Sequence, residues 1–226
     1  MKGTPITDQL YEYIAETFAP EDDLLRNMPA EAEQQGIPMM HIDATQGKFL
    51  QVLMRACNAK RVVEVGSLFG YSAIWMARAL PADGKVVALE INPLHVRAIR
   101  ENAQRAGLAD KIEVIEGDAR ETLPALKPQA PFDFAFVDAD KMGYVDYFEQ
   151  VMLLLRPGAI IVADNMSAHG NVWNAHSDGQ ADAQTRGNVP TIRALNQRMA
   201  TDPRLTSLLV PLSDGMCVGV VNSLNK

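Results

Sequence analysis

Cysteine, basic charge and long apolar runs are all scarce in this chain, and each scarcity excludes a class of protein. The two cysteines, Cys57 and Cys217, lie far apart and match no metal-binding or redox spacing, so we expect reduced thiols. Lysine and arginine number 21 against 28 aspartates and glutamates, and this net charge of −7 argues against a nucleic-acid partner. No stretch approaches the roughly 20 apolar residues of a membrane helix, and the N-terminus lacks the apolar core of a signal peptide. The sequence therefore predicts a cytoplasmic protein with no membrane partner.

The composition is sufficient for one sizeable hydrophobic core, since 47% of the 226 residues are hydrophobic and 22% are charged. Neither an internal repeat nor a low-complexity segment divides the chain. We expect a single domain over residues 1–226. Its first part, 1–58, is predicted to be a helical region that covers the domain or contacts another subunit, with Thr45 as the N-cap of its last helix. Its second part, 59–226, is predicted to be an α/β core.

Short apolar strands and helices alternate regularly along this core. Such alternation predicts a doubly wound, mostly parallel sheet. The turn Ser213-Asp214-Gly215 is typical of an antiparallel hairpin, so the sheet should end in one. Residues 167–188 lack periodicity and are expected to form a long loop before a helix at 191–200. The predicted strands are 62–65, 86–89, 112–115, 134–137, 159–163, 205–211 and 216–221; a helix is expected at 144–155.

Ligands of such a sheet bind beyond the carboxyl ends of its strands. After the first strand, which contains Glu64, come Gly66, Gly70, Tyr71 and Ser72. Leucine stands at 68, where a dinucleotide fingerprint has its middle glycine, so a pyrophosphate cradle is disfavoured. A small carboxylate, such as an amino-acid end, suits the start of the helix better.

The next two strands also end in residues that suit a nucleoside ligand. Glu90 closes the second strand, where an acid commonly accepts hydrogen bonds from ribose hydroxyls. Asp118 and Ala119 follow the third strand, where a side-chain acceptor and a backbone N–H can bind an adenine edge. The three strand ends together predict a ligand with amino-acid, ribose and base parts.

Acidic and amide side chains follow the fourth and fifth strands. Asp138 ends the apolar run of 134–137, and Asp164 and Asn165 end the next strand. Three oxygen ligands without histidine or cysteine suit Mg²⁺, and also Mn²⁺ or Ca²⁺, better than zinc. Ordinary turn and cap chemistry is the alternative for each residue alone. Lys141, three residues beyond Asp138, is a candidate base if its pKa is lowered.

Several motifs in order resemble the cation-dependent class I O-methyltransferases, the group of catechol and caffeoyl-coenzyme A O-methyltransferases and their bacterial relatives. The motifs are VVEVGSLFGYSAIWMARALP, VVALEINP, IEGDA, FVDADK and IIVADN. The resemblance covers about Met40 to Asn165 and implies a Rossmann-like, seven-stranded sheet. For S-adenosylmethionine, it implies that the methionine end is lined by Glu64, Gly66, Gly70, Tyr71 and Ser72, that the ribose is bound by Glu90, and that the adenine is bound by Asp118 and Ala119. For the reaction, it implies that the metal is held by Asp138, Asp164 and Asn165 and that the proton is taken by Lys141. Met40 is implied to contact both cofactor and substrate.

The resemblance also implies an activity and an assembly. The expected reaction is methyl transfer from S-adenosylmethionine to one hydroxyl of a small catechol, in which Asp138 binds the metal beside the cofactor, and the expected assembly is a homodimer. Ala139-Asp140 separates Asp138 from Lys141, as in the plant-like and bacterial branch, whereas the animal catechol enzymes have His-Trp. No basic cluster identifies a coenzyme A thioester as the acceptor.

Three other functions remain open at this point. One is a methyltransferase that acts on nitrogen or on another hydroxyl. The second is a nicotinamide-dependent oxidoreductase, which the missing glycine disfavours. The third is a non-catalytic nucleoside-binding scaffold.

Overall fold

One mixed sheet organises the computed structural model, which describes residues 4–173 and 183–223. Its seven strands lie in the order β3-β2-β1-β4-β5-β7-β6. Strands β1 to β5 are parallel, and β7 runs antiparallel to both β5 and β6. The predicted parallel sheet with an antiparallel C-terminal hairpin is confirmed. The strands are β1 (Arg61–Val65), β2 (Lys85–Glu90), β3 (Ile112–Glu116), β4 (Phe132–Val137), β5 (Leu155–Ala163), β6 (Leu205–Val210) and β7 (Met216–Val221).

Helices cover both faces of the sheet and create two hydrophobic cores. Along β4, Phe134 and Phe136 pack into the core with α2 to α5, whereas Ala135 and Val137 pack into the core with α6 to α8. This alternation follows from the two-residue period of a strand. None of the helices in the described part of the chain is long and apolar enough to cross a bilayer. The helices are α1 (Asp8–Phe18), α2 (Asp23–Gln34), α3 (Ala44–Ala56), α4 (Tyr71–Ala79), α5 (Pro93–Arg105), α6 (Ala119–Ala125), α7 (Tyr144–Met152) and α8 (Ala183–Thr201).

The central position of β4 decides where the functional side chains meet. Strand β4 lies between β1 and β5, and Val137 pairs with Val65 on one side and with Ala163 on the other. Asp138 and Asp164, the residues that follow β4 and β5, therefore leave the sheet at the same level. The backbone N–H of Asp138 donates to the carbonyl of Val65 at 2.9 Å, and that of Asp164 donates to the carbonyl of Val137 at 3.1 Å.

Two predicted elements near the strand ends begin at other residues. The N-cap of α3 is Asp43, not Thr45, because the Asp43 carboxylate and the Gln46 side chain form a capping box. Strand β5 begins at Leu155, which was predicted as the end of a helix, because the pairing of β4 with β5 has an irregularity that accommodates Pro157 and Gly158.

The predicted loop over 167–188 is wrong at its C-terminal end. Helix α8 already begins at Ala183 and continues through Pro190. Proline usually marks a helix boundary because it lacks the backbone N–H and disfavours helical geometry in the residue before it, yet here the helix passes through it. Residues 174–182 of the predicted loop lie outside the described part of the chain.

Candidate active site

Two glycines shape the turn between β1 and α4. Gly66 has φ +83°, and a Cβ added there would lie 2.3 Å from the backbone oxygen of Asp138. Gly70 has φ +88° and is the N-cap of α4. Both positions need glycine, because a side chain would be strained at either φ and would collide at the first. The close approach brings the end of β1 directly against the end of β4.

Glu64 holds this turn from inside the protein. Its side chain is fully buried and accepts hydrogen bonds from the hydroxyls of Ser67 and Ser72. Burial raises the pKa of Glu64 to about 7, against the opposing effect of the two serine hydrogen bonds. Glu64 therefore lies beneath the turn between β1 and α4 and supports it through Ser67 and Ser72.

Glu90 holds the same turn from the neighbouring strand. One carboxylate oxygen accepts from the backbone N–H groups of Leu68 at 2.9 Å and Ser67 at 3.3 Å. The other accepts from the N–H of Asn92 at 3.0 Å. Each oxygen has more than one lone pair, so Glu90 can also accept from a ligand hydroxyl.

A cavity of about 670 Å³ lies over these strand ends, within the size range of sites for cofactors. We call it the first cavity. Most of the predicted site residues line it, and three do not: Glu64, Gly70 and Asp164 lie behind the lining. The predicted residues that line the first cavity are Met40, Gly66, Tyr71, Ser72, Glu90, Asp118, Ala119, Asp138, Lys141 and Asn165.

At one end of the first cavity, Asp138 and Lys141 are joined through a buried tyrosine to β5. Lys141 Nζ lies 2.9 Å from Asp138 Oδ1 and donates to the Tyr144 hydroxyl at 2.5 Å. That hydroxyl in turn donates to the backbone oxygen of Asp164 at 3.0 Å. Tyr144 is fully buried at the start of α7. The hydrogen bonds therefore form a chain between the ends of β4 and β5.

Asp164 and Asn165 stand beside this chain. Burial raises the pKa of the Asp164 carboxyl, and the negative charge of Asp138 raises it further. Gln46 from α3 donates to Asp164 Oδ1 at 2.9 Å. Asn165 has φ +56°, in the left-handed region that asparagine tolerates best among residues with a side chain.

The donor chemistry of this cluster suits a hard cation. Two neighbouring carboxylates repel each other when both are charged, and a divalent cation would remove that repulsion. The described residues contain no group of three or more His, Cys, Asp or Glu side chains placed to hold a metal. The set predicted here has a different composition, namely the two carboxylates of Asp138 and Asp164 with the amide of Asn165.

Sequence reasoning missed two supporting residues and left one without a role. The missed residues are Tyr144 and Gln46. Tyr144 stands three residues after Lys141, a spacing that brings side chains together on a helical turn. No sequence signal relates Gln46 to Asp164, which lies 118 positions away. Asp140, which had no assigned role, accepts from the N–H of Gly143 at 2.9 Å and from the hydroxyl of Tyr147 at 2.5 Å, and so shapes the turn after Lys141.

Comparisons with known proteins agree with this geometry. Residues 15–221 match a family model described as O-methyltransferase. The chain is 37% identical over 223 residues to a catechol O-methyltransferase of Niastella koreensis, covering 96% of this chain and 100% of that protein. It is 41% identical over 186 residues to a catechol O-methyltransferase of Mycobacterium tuberculosis, covering 82% and 84%. A solved O-methyltransferase from Bacillus cereus in complex with SAH superimposes with a TM-score of 0.83 at 35% identity, covering 95% and 97%.

Proposed function

Because this chain belongs to the O-methyltransferase family and is an S-adenosylmethionine-dependent enzyme, we propose that it methylates one hydroxyl of a vicinal dihydroxyphenyl compound in a reaction that requires a divalent cation. One observation carries the proposal: Asp138 borders the first cavity and also belongs to the acidic cluster with Asp164 and Asn165. A cofactor and a cation held there would be neighbours. The relatives named as catechol O-methyltransferases support this acceptor class.

The first cavity offers a partner for each part of the cofactor. The N-terminus of α4, with Ser72 in its first turn, suits a carboxylate because its backbone N–H groups have no partner within the helix. Glu90 suits the ribose hydroxyls, and Asp118 with Ala119 suits the adenine, since all three residues line the cavity. S-adenosylmethionine supplies the methyl group on an electrophilic sulfonium.

Asp138, Asp164 and Asn165 are the proposed cation ligands, and Mg²⁺ is the first candidate, before Mn²⁺ or Ca²⁺. A divalent cation would lower the pKa of an acceptor hydroxyl and would offset the charge of Asp138 beside Lys141. Gln46 keeps the Asp164 carboxylate in one orientation through its hydrogen bond. Such an outer contact is typical of metal sites.

Lys141 is the proposed base. Its Nζ, as the neutral amine, would receive the proton of the acceptor hydroxyl and become an ammonium, after which the acceptor oxygen forms its bond to the methyl carbon as the bond from carbon to sulfur breaks. Asp138 at 2.9 Å and Tyr144 at 2.5 Å hold Nζ in one place. Most of the rate gain is then expected from positioning two reactants at attack distance.

An acceptor panel with and without Mg²⁺ tests the proposal. Purified protein is treated with a chelator and assayed by the release of S-adenosylhomocysteine. Catechol should be methylated only after Mg²⁺ is restored, whereas phenol and aniline should not be methylated at all. Full activity towards catechol in chelator would refute the cation requirement. Methylation of the amine or of phenol would move the function to another small-molecule methyltransferase.

A homodimer is the proposed assembly. Tyr13 and Phe18 of α1 are 58% and 59% exposed, and their rings contact each other edge to face. Large apolar side chains at the surface suit a protein contact. Light scattering after size exclusion should give twice the mass of the chain, and a Phe18→Ser variant should shift it towards the monomer. A wild-type monomer at all concentrations would contradict this assembly.

A further inference from the structure

Helix α5 packs directly against the turn between β1 and α4. A Cβ added at Gly70 would lie 3.3 Å from the Cα of Ile99, so the turn contacts the α5 backbone. Asn102 stands three residues after Ile99, on the same face of the helix, and is buried. Its Nδ2 donates to the backbone oxygen of Phe69 at 3.0 Å. The turn is therefore held from behind by a residue that the proposed mechanism does not use.

This hydrogen bond fixes the orientation of one peptide group. The carbonyl of Phe69 and the N–H of Gly70 belong to the same planar group, and that N–H donates to the carbonyl of Ser67 at 2.7 Å. Glycine at 70 permits many backbone conformations, so without Asn102 the group would rotate more freely. Its orientation decides the direction in which α4 leaves the turn. It therefore also decides the direction of the N–H groups proposed to bind the cofactor carboxylate.

The amide of Asn102 is itself held in one orientation. Arg105 Nη1 donates to Asn102 Oδ1 at 2.9 Å. Because a guanidinium can only donate and a carbonyl can only accept, Asn102 must turn its oxygen to Arg105 and its NH2 group to Phe69. Arg105 in turn pairs with both carboxylate oxygens of Glu31, at 2.5 and 3.0 Å. Glu31 belongs to α2, so a series of hydrogen bonds runs from α2 through α5 to the turn.

The other end of α2 is connected to the same turn. Glu21, two residues before α2 begins, accepts from the Tyr71 hydroxyl at 2.6 Å, and Tyr71 lines the first cavity. Asp22, the N-cap of α2, pairs with Arg78 of α4 at 2.6 Å. All residues of α2 are described, and none of them lines the first cavity. Helix α2 is therefore connected to the cofactor turn at both ends without bordering the cavity.

We propose that Asn102 is a positioning residue for this turn and that α2, through Glu31 and Arg105, sets the affinity for the methionine end of S-adenosylmethionine. The inference rests on the proposed function in one respect, because it places the methionine end of the cofactor at the N-terminus of α4. It concerns cofactor binding and not the transfer step, since the proposed base and cation ligands follow β4 and β5.

Asn102→Asp tests the positioning role with almost no change in size. The carboxylate can still accept from Arg105 but cannot donate to Phe69, whose buried carbonyl then faces an oxygen. Only a fraction of the molecules would hold the turn in its binding conformation, and the apparent affinity falls by that fraction. In calorimetry, the Kd for S-adenosylhomocysteine should rise about tenfold. The kcat for catechol at saturating S-adenosylmethionine and Mg²⁺ should stay within about twofold of wild type.

The matched control is Asn58→Asp, which makes the same change at an exposed residue between α3 and β1. It should leave the Kd for S-adenosylhomocysteine unchanged. If Asn102→Asp lowers the melting temperature but binds S-adenosylhomocysteine as the wild type does, Asn102 serves only stability and the inference is overturned. An equal rise in Kd in both variants would overturn it as well.

A second variant keeps the test decisive if Asn102→Asp does not fold. Arg105→Met changes a side chain that is 44% exposed, so it should fold, and it removes every donor to Asn102 and Glu31 from this position. An exposed ion pair contributes little to stability, yet the Kd for S-adenosylhomocysteine should rise about threefold because Asn102 is no longer oriented. Arg55→Met, at an exposed position of α3, should leave it unchanged. A Kd within about 1.5-fold of wild type in Arg105→Met would overturn the inference.

Hydrogen exchange measures the same coupling from the side of α2. Because linkage is reciprocal, a helix that favours cofactor binding must be stabilised when the cofactor binds. Saturating S-adenosylhomocysteine should therefore slow amide exchange in α2 of the wild type, and slow it less in Asn102→Asp. Exchange in α2 that ignores the ligand would overturn the inference. Neither calorimetry nor exchange needs an acceptor or a cation, so a protein that shows this coupling but methylates no catechol would refute only the proposed function.

Discussion

Removing one buried hydroxyl, in Tyr144→Phe, should lower both stability and turnover. The hydroxyl receives Lys141 Nζ at 2.5 Å and donates to the Asp164 carbonyl at 3.0 Å, and the ring is fully buried. The first bond involves a charged group, and its loss costs about 1.5–3 kcal/mol, while the carbonyl left without a donor costs about 1 kcal/mol. The free energy of unfolding should therefore fall by about 2.5–4 kcal/mol.

The same substitution should separate kcat from KM. Among the described residues, Lys141 would keep its contacts with Asp138 and with the ring at position 144 but would lose the hydroxyl. Its Nζ would therefore be held less firmly for proton transfer, whereas the first cavity would keep its lining. We expect kcat to fall about tenfold or more, with the affinity for S-adenosylmethionine within about twofold of wild type. Urea denaturation gives the first quantity, and steady-state kinetics with calorimetry give the second.

The control for this pair of measurements is Tyr13→Phe, which removes the hydroxyl of a side chain that is 58% exposed and keeps the ring that the proposed dimer contact uses. It should change neither quantity. If Tyr144→Phe loses less than about 0.5 kcal/mol of stability and keeps its kcat, the hydrogen-bond chain does not position Lys141 and the reasoning is refuted.

Three further predictions follow from the same site. Lys141→Ala should lower kcat about 10²-fold or more and leave the affinity for S-adenosylmethionine nearly unchanged by calorimetry; equal turnover would remove Lys141 as the base. Gly66→Ala should lower the melting temperature and the cofactor affinity, because its Cβ would lie 2.3 Å from the Asp138 oxygen; an unchanged melting temperature would contradict the close approach. Burial raises the pKa of Glu64 from 4.5 to about 7, so the folded state holds this proton more tightly than the unfolded state. The stability that the proton contributes, about 3 kcal/mol, is present below pH about 4.5 and is lost as pH rises to about 7. Glu64→Gln should not show this loss in urea denaturation across that pH range. Parallel profiles of unfolding free energy against pH for the two proteins would refute the shift.

Local chemistry made much of the fold and the family predictable. The apolar run of β4 predicted a buried central strand, and its pairing on both sides confirms it. The glycines at 66 and 70 predicted a tight turn into a helix, which their positive φ values confirm. The motifs that resembled the cation-dependent O-methyltransferases led to a family that the comparisons confirm. The cation requirement, the homodimer and the single-domain boundaries stay predictions.

The misplaced boundaries have local causes. Proline and glycine usually interrupt regular structure, so Pro190 was placed before a helix and Pro157-Gly158 before a strand. In the structure α8 extends through the first, and β5 begins before the second. A capping box formed with the Gln46 side chain starts α3 at Asp43, whereas the sequence prediction places the N-cap at Thr45.

By itself, the sequence determined which residue types stand at each strand end, because glycine turns, apolar runs and terminal acids depend on neighbours along the chain. The tertiary structure alone decided which of these ends meet. Strands β1 and β4 are neighbours although they are far apart in sequence, and their register places Gly66 against Asp138. The contact of Gln46 with Asp164 and the hydrogen-bond chain through Tyr144 likewise depend on packing between distant segments. Such contacts join segments that are far apart along the chain, and the residue pattern within one segment does not show which other segment it will meet.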